Sequence, residues 1–123
     1  MSVKLWNSTI ASNVGNSIFI DALGYIHVCG FDGRTSASDL RYAISIDGGV
    51  NFTDGEGGGS GTYRTLIANV YYPNAYPAIV VDSSNNVYIF YSDNDGKLNF
   101  FKKTSGTWGG STSITADNRY EWK

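Results

Sequence analysis

The fold is decided by the stretch Ser45-Ile46-Asp47-Gly48-Gly49-Val50-Asn51-Phe52, a tight turn that follows an apolar segment and ends in an aromatic residue. Its two consecutive glycines favour the positive φ angles that a two-residue hairpin loop requires. The Asp47 carboxylate is expected to accept hydrogen bonds from backbone N–H groups of the turn, and the Ser45 hydroxyl to add a weaker bond. Phe52 is expected to fold back over the preceding strand. The sequence therefore predicts a structural hairpin here rather than a chemical site.

Apolar segments lie on both sides of this turn. The sequence predicts four strands, at residues 18–21, 25–31, 40–44 and 63–68. A turn is predicted at residues 13–17, before the first strand. Residues 54–61 are rich in glycine, which predicts a flexible surface loop, with an engineered linker as the alternative. No window shows a period of 3.6 residues, so the chain is expected to be all-β and without helix.

A second copy of the pattern follows the first. Its predicted strands are residues 78–82, 87–91, 98–101 and 111–115, which repeat 18–21, 25–29, 40–43 and the fourth strand of the first copy. Residues 104–108 are interpreted as a degraded copy of the Asp47 turn that has lost its aspartate. An additional strand is predicted at residues 6–12, because Trp6 and Trp108 start similar segments. The chain is therefore predicted to hold about nine strands.

The turn resembles the Asp-box (BNR) repeat of sialidase-like β-propellers, Ser-x-Asp-x-Gly-x-x-aromatic. Ser45, Asp47, Gly49 and Phe52 occupy its defining positions, with phenylalanine in place of the usual tryptophan. In that family the box lies in the hairpin between the third and fourth strands of a blade, on the face opposite the active site. The resemblance thus implies antiparallel four-stranded blades and implies no activity.

Residues 1–123 are interpreted as one propeller module with an N-terminal strand, a first blade at about 18–68 and a second at about 78–116. Two blades do not close a ring, which typically takes four to eight. An unclosed pair exposes apolar sheet faces and strand edges. Either the chain is part of a longer propeller or identical chains complete the ring by oligomerisation. A homo-oligomer is expected, with a trimer favoured because three pairs of blades make a six-bladed ring.

Composition excludes several classes of function. The net charge is −2 without a basic run, so nucleic acid is not an expected partner. Residues 1–7 lack the apolar core of a secretory signal, and the apolar runs are too short to span a membrane. Cytoplasmic synthesis is therefore expected. Cys29 is the single cysteine, so it forms no intrachain disulfide and is expected to be buried and inert. No cofactor is predicted.

Candidate metal and catalytic residues have simpler structural explanations. His27 stands alone in an apolar segment, so a core or pore-lining role is favoured over metal ligation. Residues 93–96 predict an Asx hairpin turn rather than a calcium loop, which needs further ligands. Glycoside hydrolysis needs two carboxyls across a cleft; Asp32 and Asp93 lie in loops where this could occur, but no pattern in the sequence pairs them.

The resemblance also allows sialidase chemistry to be weighed. That chemistry, as the resemblance implies it, needs three arginines that grip a carboxylate, a Tyr–Glu nucleophile pair and an acidic aspartate. The chain has two glutamates, Glu56 and Glu121, and four arginines, Arg34, Arg41, Arg64 and Arg119. The arginine motif that precedes the first box in the family is absent. The sequence predicts no catalytic residues and a non-enzymatic module.

The predicted binding site is a rim on the face opposite the Asp box, where residues 32–38, 69–76 and 93–96 connect strands. Its candidate ligand-binding residues are Tyr71, Tyr72, Tyr76, Arg34, Asp32, Asn74 and Asp93. Aromatic rings cover the apolar faces of sugars, and polar groups orient their hydroxyls. The alternative is that these tyrosines pack between neighbouring blades.

The first hypothesis is therefore a non-enzymatic propeller module that binds carbohydrate or another surface ligand. A viral or phage adhesion protein, or another virion component, is the setting suggested for it. The second hypothesis is a fragment or subunit of a sialidase-like glycoside hydrolase. The third is a purely structural assembly protein.

Overall fold

The computed structural model of the chain describes residues 14–31, 38–70 and 77–114, which form two antiparallel sheets and no helix. Sheet one has the order β1-β2-β3-β4, with β1 (Val14–Ile20), β2 (Ile26–Phe31), β3 (Ser38–Ser45) and β4 (Arg64–Val70). Sheet two consists of β5 (Ala78–Val81), β6 (Val87–Ser92), β7 (Leu98–Thr104), β8 (Thr107–Trp108) and β9 (Thr112–Ser113). The predicted all-β class is confirmed for the described residues, and they close no propeller ring.

Two predicted boundaries are wrong. Residues 14–17, predicted as part of a turn, belong to β1, because Asn16 and Ser17 pair with β2 and a register shift next to Asn16 absorbs the intervening Gly15. The fourth strand of sheet two is split, since β8 and β9 pair with β7 at separate places. The nine described strands include this split pair, whereas the strand predicted at residues 6–12 lies outside the described residues.

The main core lies between the two sheets. The inner face of each sheet is the one that packs against the other sheet. The inner face of sheet one contributes Phe19, Cys29, Phe31, Leu40 and Tyr42, and that of sheet two contributes Ile79, Val81, Val87, Ile89, Tyr91 and Phe101. The backbone N–H of Ile79 donates to the Ser17 hydroxyl at 3.2 Å, which joins β5 directly to β1.

The outer faces are covered unequally. On sheet one, Phe52 packs over Val28 and Ala43 and leaves Ile18 and Ile20 exposed beside them. On sheet two, half-buried aromatic rings lie side by side, with Phe90 and Phe100 at a centroid distance of 5.8 Å. Both sheets thus carry apolar side chains on two faces, and only the inner pair of faces is fully buried.

Residues 45–52 (the Asp47 loop) connect β3 towards β4. Asp47 Oδ1 accepts the Asn51 N–H at 2.9 Å and the Ser45 hydroxyl at 2.8 Å, and Ser45 Oγ accepts the Gly49 N–H at 2.8 Å. The positive φ angles expected of the two glycines are present, at 74° and 92°. The expected two-residue loop is wrong, because the pair Ile44–Thr53 closes a longer loop through two backbone hydrogen bonds of 2.9 Å.

Three other turns are also held by an aspartate carboxylate. Oδ1 of Asp21, Asp82 and Asp93 each accepts the N–H groups two and four residues ahead, at 2.9–3.0 Å. Residues 93–96 are thus a hairpin turn, as predicted. Residues 104–108 are not a degraded Asp47 loop. They form a two-residue turn at Ser105 and Gly106, whose φ angles are 50° and 80°.

The glycine-rich residues 54–61 form a loop, as predicted, and side-chain hydrogen bonds organise it. Asp54 Oδ1 accepts the N–H groups of Glu56 at 2.8 Å and Gly58 at 3.0 Å. Thr62 Oγ1 accepts the Asp54 N–H at 3.0 Å and donates to the Gly59 carbonyl at 2.7 Å. The Asp54 and Thr62 side chains therefore organise this loop from both ends.

Replacing Gly58 by alanine is expected to destabilise the fold by about 1–3 kcal/mol. Its Cβ would lie 2.5 Å from Thr62 Oγ1 and 2.6 Å from Asp54 Oδ2, so the loop bonds would have to open. Gly59→Ala is the matched control, because a Cβ there meets nothing within 4 Å. Chemical denaturation of both variants measures the difference. Equal stability of the two would contradict the packing seen at Gly58.

The Asp47 loop is expected to lose stability in acid. Hydrogen bonds from the Asn51 backbone, the Asn51 side chain and Ser45 lower the pKa of Asp47 from 3.8 to about 2. A folded-state pKa below the unfolded value stabilises the fold above pH 3.8, and this stabilisation is lost as the pH falls through about 2. The difference in melting temperature between wild type and Asp47→Ala should therefore be constant near neutral pH and narrow below about pH 4.

Asp95→Ala is the control for this experiment. It removes an equal charge from an exposed turn, and no hydrogen bond to the Asp95 carboxylate is seen among the described residues. Its melting temperature should stay close to that of the wild type at every pH. A pH-independent difference for Asp47→Ala would refute the assigned role of the ionised carboxylate.

Candidate functional site

Consecutive antiparallel strands place their connections alternately at opposite edges of a sheet. The turns after β1, β5 and β7 contribute Asp21, Asn85 and Gly106 to one cavity, so they lie at one edge, here called the turn edge. The Asp47 loop follows β3 and belongs to the same edge. The connections after β2, β4 and β6 therefore leave from the opposite edge, here called the rim edge.

In chain order, the predicted ligand-binding residues follow β2, β4 and β6, the strands that end at the rim edge. Six of them lie outside the described residues: Tyr71, Tyr72, Tyr76, Arg34, Asp32 and Asn74. Asp93 is described, and its Oδ2 accepts the Asn99 side-chain amide at 2.8 Å while Oδ1 holds the turn. The observed role of Asp93 is thus to close the β6–β7 hairpin. A ligand contact by any of the seven residues stays a prediction.

A cavity of about 180 Å³ opens at the turn edge between the two sheets. Its polar lining includes Asp21, His27, Tyr42 and Lys103, and its apolar lining includes Leu23, Ile44 and Val87. Sequence reasoning did not identify this site. Its residues come from separate strands whose register had to be known before they could be brought together.

A hydrogen-bonded chain of three side chains forms one wall of the cavity. His27 Nε2 lies 2.8 Å from Asp21 Oδ2, and His27 Nδ1 lies 2.9 Å from the Tyr42 hydroxyl. Because a carboxylate only accepts, His27 donates from Nε2, and in the tautomer that this selects Nδ1 accepts the Tyr42 proton. His27 is therefore a buried residue with both ring nitrogens bonded. The described residues contain no group of three side chains able to hold a metal ion.

The pKa shifts of Tyr42 and Asp21 favour a structural role for this hydrogen-bonded network. Burial raises the pKa of Tyr42 strongly, so its phenol stays protonated. Burial also acts to raise the pKa of Asp21, but hydrogen bonds from His27, Tyr25 and Leu23 outweigh it and lower that pKa overall. Asp21 thus stays ionised, accepts from His27, and ties the β1–β2 turn to the interior.

Lys103 closes the other side of the cavity. Its Nζ lies 5.4 Å from the centroid of the Tyr42 ring and 5.8 Å from that of Trp108, within cation–π range. Burial lowers the pKa of Lys103, and the nearby carboxylates Glu56 and Asp54 oppose that shift. The Lys103 ammonium of sheet two therefore lies over the Tyr42 ring of sheet one.

The order Tyr42–His27–Asp21 matches that of a nucleophile, a base and an orienting carboxylate. Three features argue against that use. The Tyr42 side chain is fully buried, its raised pKa disfavours the phenolate, and the cavity is smaller than the roughly 300–1,000 Å³ of ligand pockets. The chain of bonds is best explained as a buried network that orients two strands and a turn.

The described arginines and glutamate are engaged elsewhere. Arg64 pairs with Glu56 at 3.1 Å on the surface. Arg41 lies 3.7 Å from Asp39 and its guanidinium stacks 4.1 Å from the centroid of the Tyr63 ring. Arg41 lies on the outer face of sheet one, whereas Arg64 stands opposite the inner-face residue Tyr42 in the β3–β4 register. They do not assemble the arginine cluster that carboxylate-gripping hydrolases need.

No protein-family model matches this sequence, and no curated protein matches it. Within residues 14–31, 38–70 and 77–114, no helix is long and apolar enough to cross a membrane.

Replacing Tyr42 by phenylalanine is expected to destabilise the fold by about 1–3 kcal/mol, because it leaves the buried Nδ1 of His27 without a donor. Tyr91→Phe is the matched control. The Tyr91 hydroxyl bonds the exposed Ser111 at 2.6 Å, and water can replace it there. Urea denaturation of both variants measures the difference. A loss for Tyr42→Phe no larger than for Tyr91→Phe would show that the network contributes nothing to stability.

Proposed function

We propose that this chain is a non-enzymatic binding module of stacked, propeller-type blades that binds carbohydrate at its rim edge. The observation that supports the proposal is the contrast between the described turns and the longer connections at the rim edge. Asp21, Asp47 and Asp82 at the turn edge, and Asp93 at the rim edge, accept hydrogen bonds within their own turns. Residues 32–37 and 71–76, with their aromatic and polar side chains, connect strands at the rim edge.

The chemistry of the rim suits a sugar. Three tyrosines between β4 and β5, at residues 71, 72 and 76, provide flat apolar surfaces. Arg34 and Asp32 between β2 and β3, with Asn74, provide donors and acceptors for hydroxyls. Sugar sites combine these two kinds of group. The proposal needs no catalytic residue, cofactor or metal.

A glycan array followed by calorimetry tests the binding. Wild-type protein should bind one or more glycans, and replacement of the responsible tyrosine among Tyr71, Tyr72 and Tyr76 by alanine should weaken binding by about 1–3 kcal/mol. Tyr25→Ala is the control, since Tyr25 lies in the β1–β2 turn at the opposite edge. Its binding should be unchanged.

Two results would reject this site. If all three rim variants keep wild-type affinity, the ligand binds elsewhere. If each of them instead dissociates the protein, the tyrosines pack between blades and are not binding residues. Absence of binding to any glycan would reject the ligand class.

A purely structural assembly role is the second candidate. The observation that favours it is the pair of outer faces, which expose Ile18, Ile20 and Val80 although each sheet is otherwise well packed. In that case the protein should assemble but bind no glycan. The array therefore separates the two functions.

A further inference from the structure

We infer that copies of this chain associate head to tail, with the outer face of sheet two of one copy packed on the outer face of sheet one of the next. The inference deepens the blade-type architecture of the proposed function and does not depend on its ligand. It comes from the way in which the two sheets of one chain already pack.

The hydrogen-bonding positions align the two sheets residue by residue. Asp21 and Asp82 hold identical turns, so Ile18 of β1 corresponds to Ile79 of β5, and Ile26 of β2 to Val87 of β6. This corrects the sequence comparison, which aligned residues 25–29 with 87–91. A one-residue slip matters because it assigns every side chain to the opposite face.

With this alignment the two inner faces are not equivalent. The inner residues Cys29 and Tyr42 of sheet one form a cross-strand pair, and their counterparts in sheet two are the outer pair Phe90 and Phe100. Conversely, the inner residue Ile79 of sheet two corresponds to the outer residue Ile18 of sheet one. The interface within the chain therefore joins two unlike faces.

Each of these unlike faces recurs on the other sheet, where it is only partly covered: on sheet one Phe52 covers Val28 and Ala43 and leaves the β1 side of the face open. Ile79 and Val81 are 4% and 9% exposed in the core, whereas their counterparts Ile18 and Ile20 are 64% and 62% exposed. On sheet two, Val80 is 43% exposed beside the rings of Phe90 and Phe100. An interface between two unlike faces leaves one face of each kind free, so that further copies can add in the same way. The copies close into a ring when the rotation from one copy to the next permits it.

A second copy is the occupant that fits these surfaces. Within one chain, the inner face of sheet one covers Ile79 and Val81. The outer face of sheet two carries β-branched and aromatic residues at the corresponding positions. In another copy, Ile18 and Ile20 occupy the positions that correspond to Ile79 and Val81. The known contact between β1 and β5 also predicts the new one: the Ser17–Ile79 contact becomes a contact between Ala78 of one copy and Ile18 of the next.

Engineered disulfides test this geometry. In the double variant Ile18→Cys with Ala78→Cys, mild oxidation should link separate chains, giving covalent oligomers on a non-reducing gel. Both positions are exposed, so the variant should fold. The native Cys29 should not compete, because it is fully buried and burial raises its pKa to about 12.

Two controls bracket the result. Ser17→Cys with Ile79→Cys should link within one chain and leave a monomer on the gel, since Ile79 N lies 3.2 Å from Ser17 Oγ. Val50→Cys with Ala78→Cys measures random collision, because Val50 lies in the Asp47 loop and is 68% exposed. Linking of Ile18→Cys with Ala78→Cys no faster than this second control would overturn the inference.

The mass in solution provides an independent readout. Wild-type protein should be a closed oligomer, with three copies of 13.4 kDa favoured. Val80→Glu should reduce its mass to that of one chain, whereas Val50→Glu should leave it unchanged. A folded wild-type monomer at micromolar concentration would refute the interface. Failure of glycan binding alone would reject the ligand proposal and leave the interface standing.

Discussion

The alternation of side chains along each strand gives both sheets two apolar faces, and the rest of the structure depends on this constraint. A sheet of this kind is stable only when both faces are covered. The chain covers one face of each sheet by stacking them, and Tyr42 lies at the centre of that contact. Its ring packs edge to face against Trp108 of sheet two at 5.0 Å, and its hydroxyl bonds His27 of sheet one. Tyr42 therefore takes part both in the packing between the sheets and in the buried polar network.

The second organising device is the carboxylate that caps a turn. Asp21, Asp82 and Asp93 each follow a strand at once and accept the N–H groups that the hairpin leaves unpaired. Short, self-sufficient turns of this kind leave their carboxylates little capacity for a ligand. Asp21 has a second role, because its Oδ2 is hydrogen-bonded to the buried His27. Asp21 and Asp82 thus hold turns at the turn edge, and Asp93 holds one at the rim edge.

The sequence predicts the strand order well, because short apolar runs end at Asp, Gly or Asn. It does not predict register, which depends on contacts between strands. The Val87 segment was therefore aligned one residue away from its structural counterpart, and the link between His27 and Tyr42 was missed. Asn16 and Ser17 look like turn residues, yet β2 pairs with them in a strand. Composition predicts the loop at residues 54–61, but it does not predict the hydrogen bonds of Asp54 and Thr62 that organise it.

The proposed ligand site and the proposed interface lie on different surfaces, and this separation has a functional consequence. The interface uses the outer sheet faces, where Ile18 and Val80 are exposed, while the rim uses the connections that leave one edge. Assembly would therefore display one rim per copy on the same side of a ring. Single sugar sites with a few stacking rings bind weakly, and linking several of them raises the overall affinity without any new contact. A small chain that binds through a repeated rim would thus gain from assembly both its stability and its avidity.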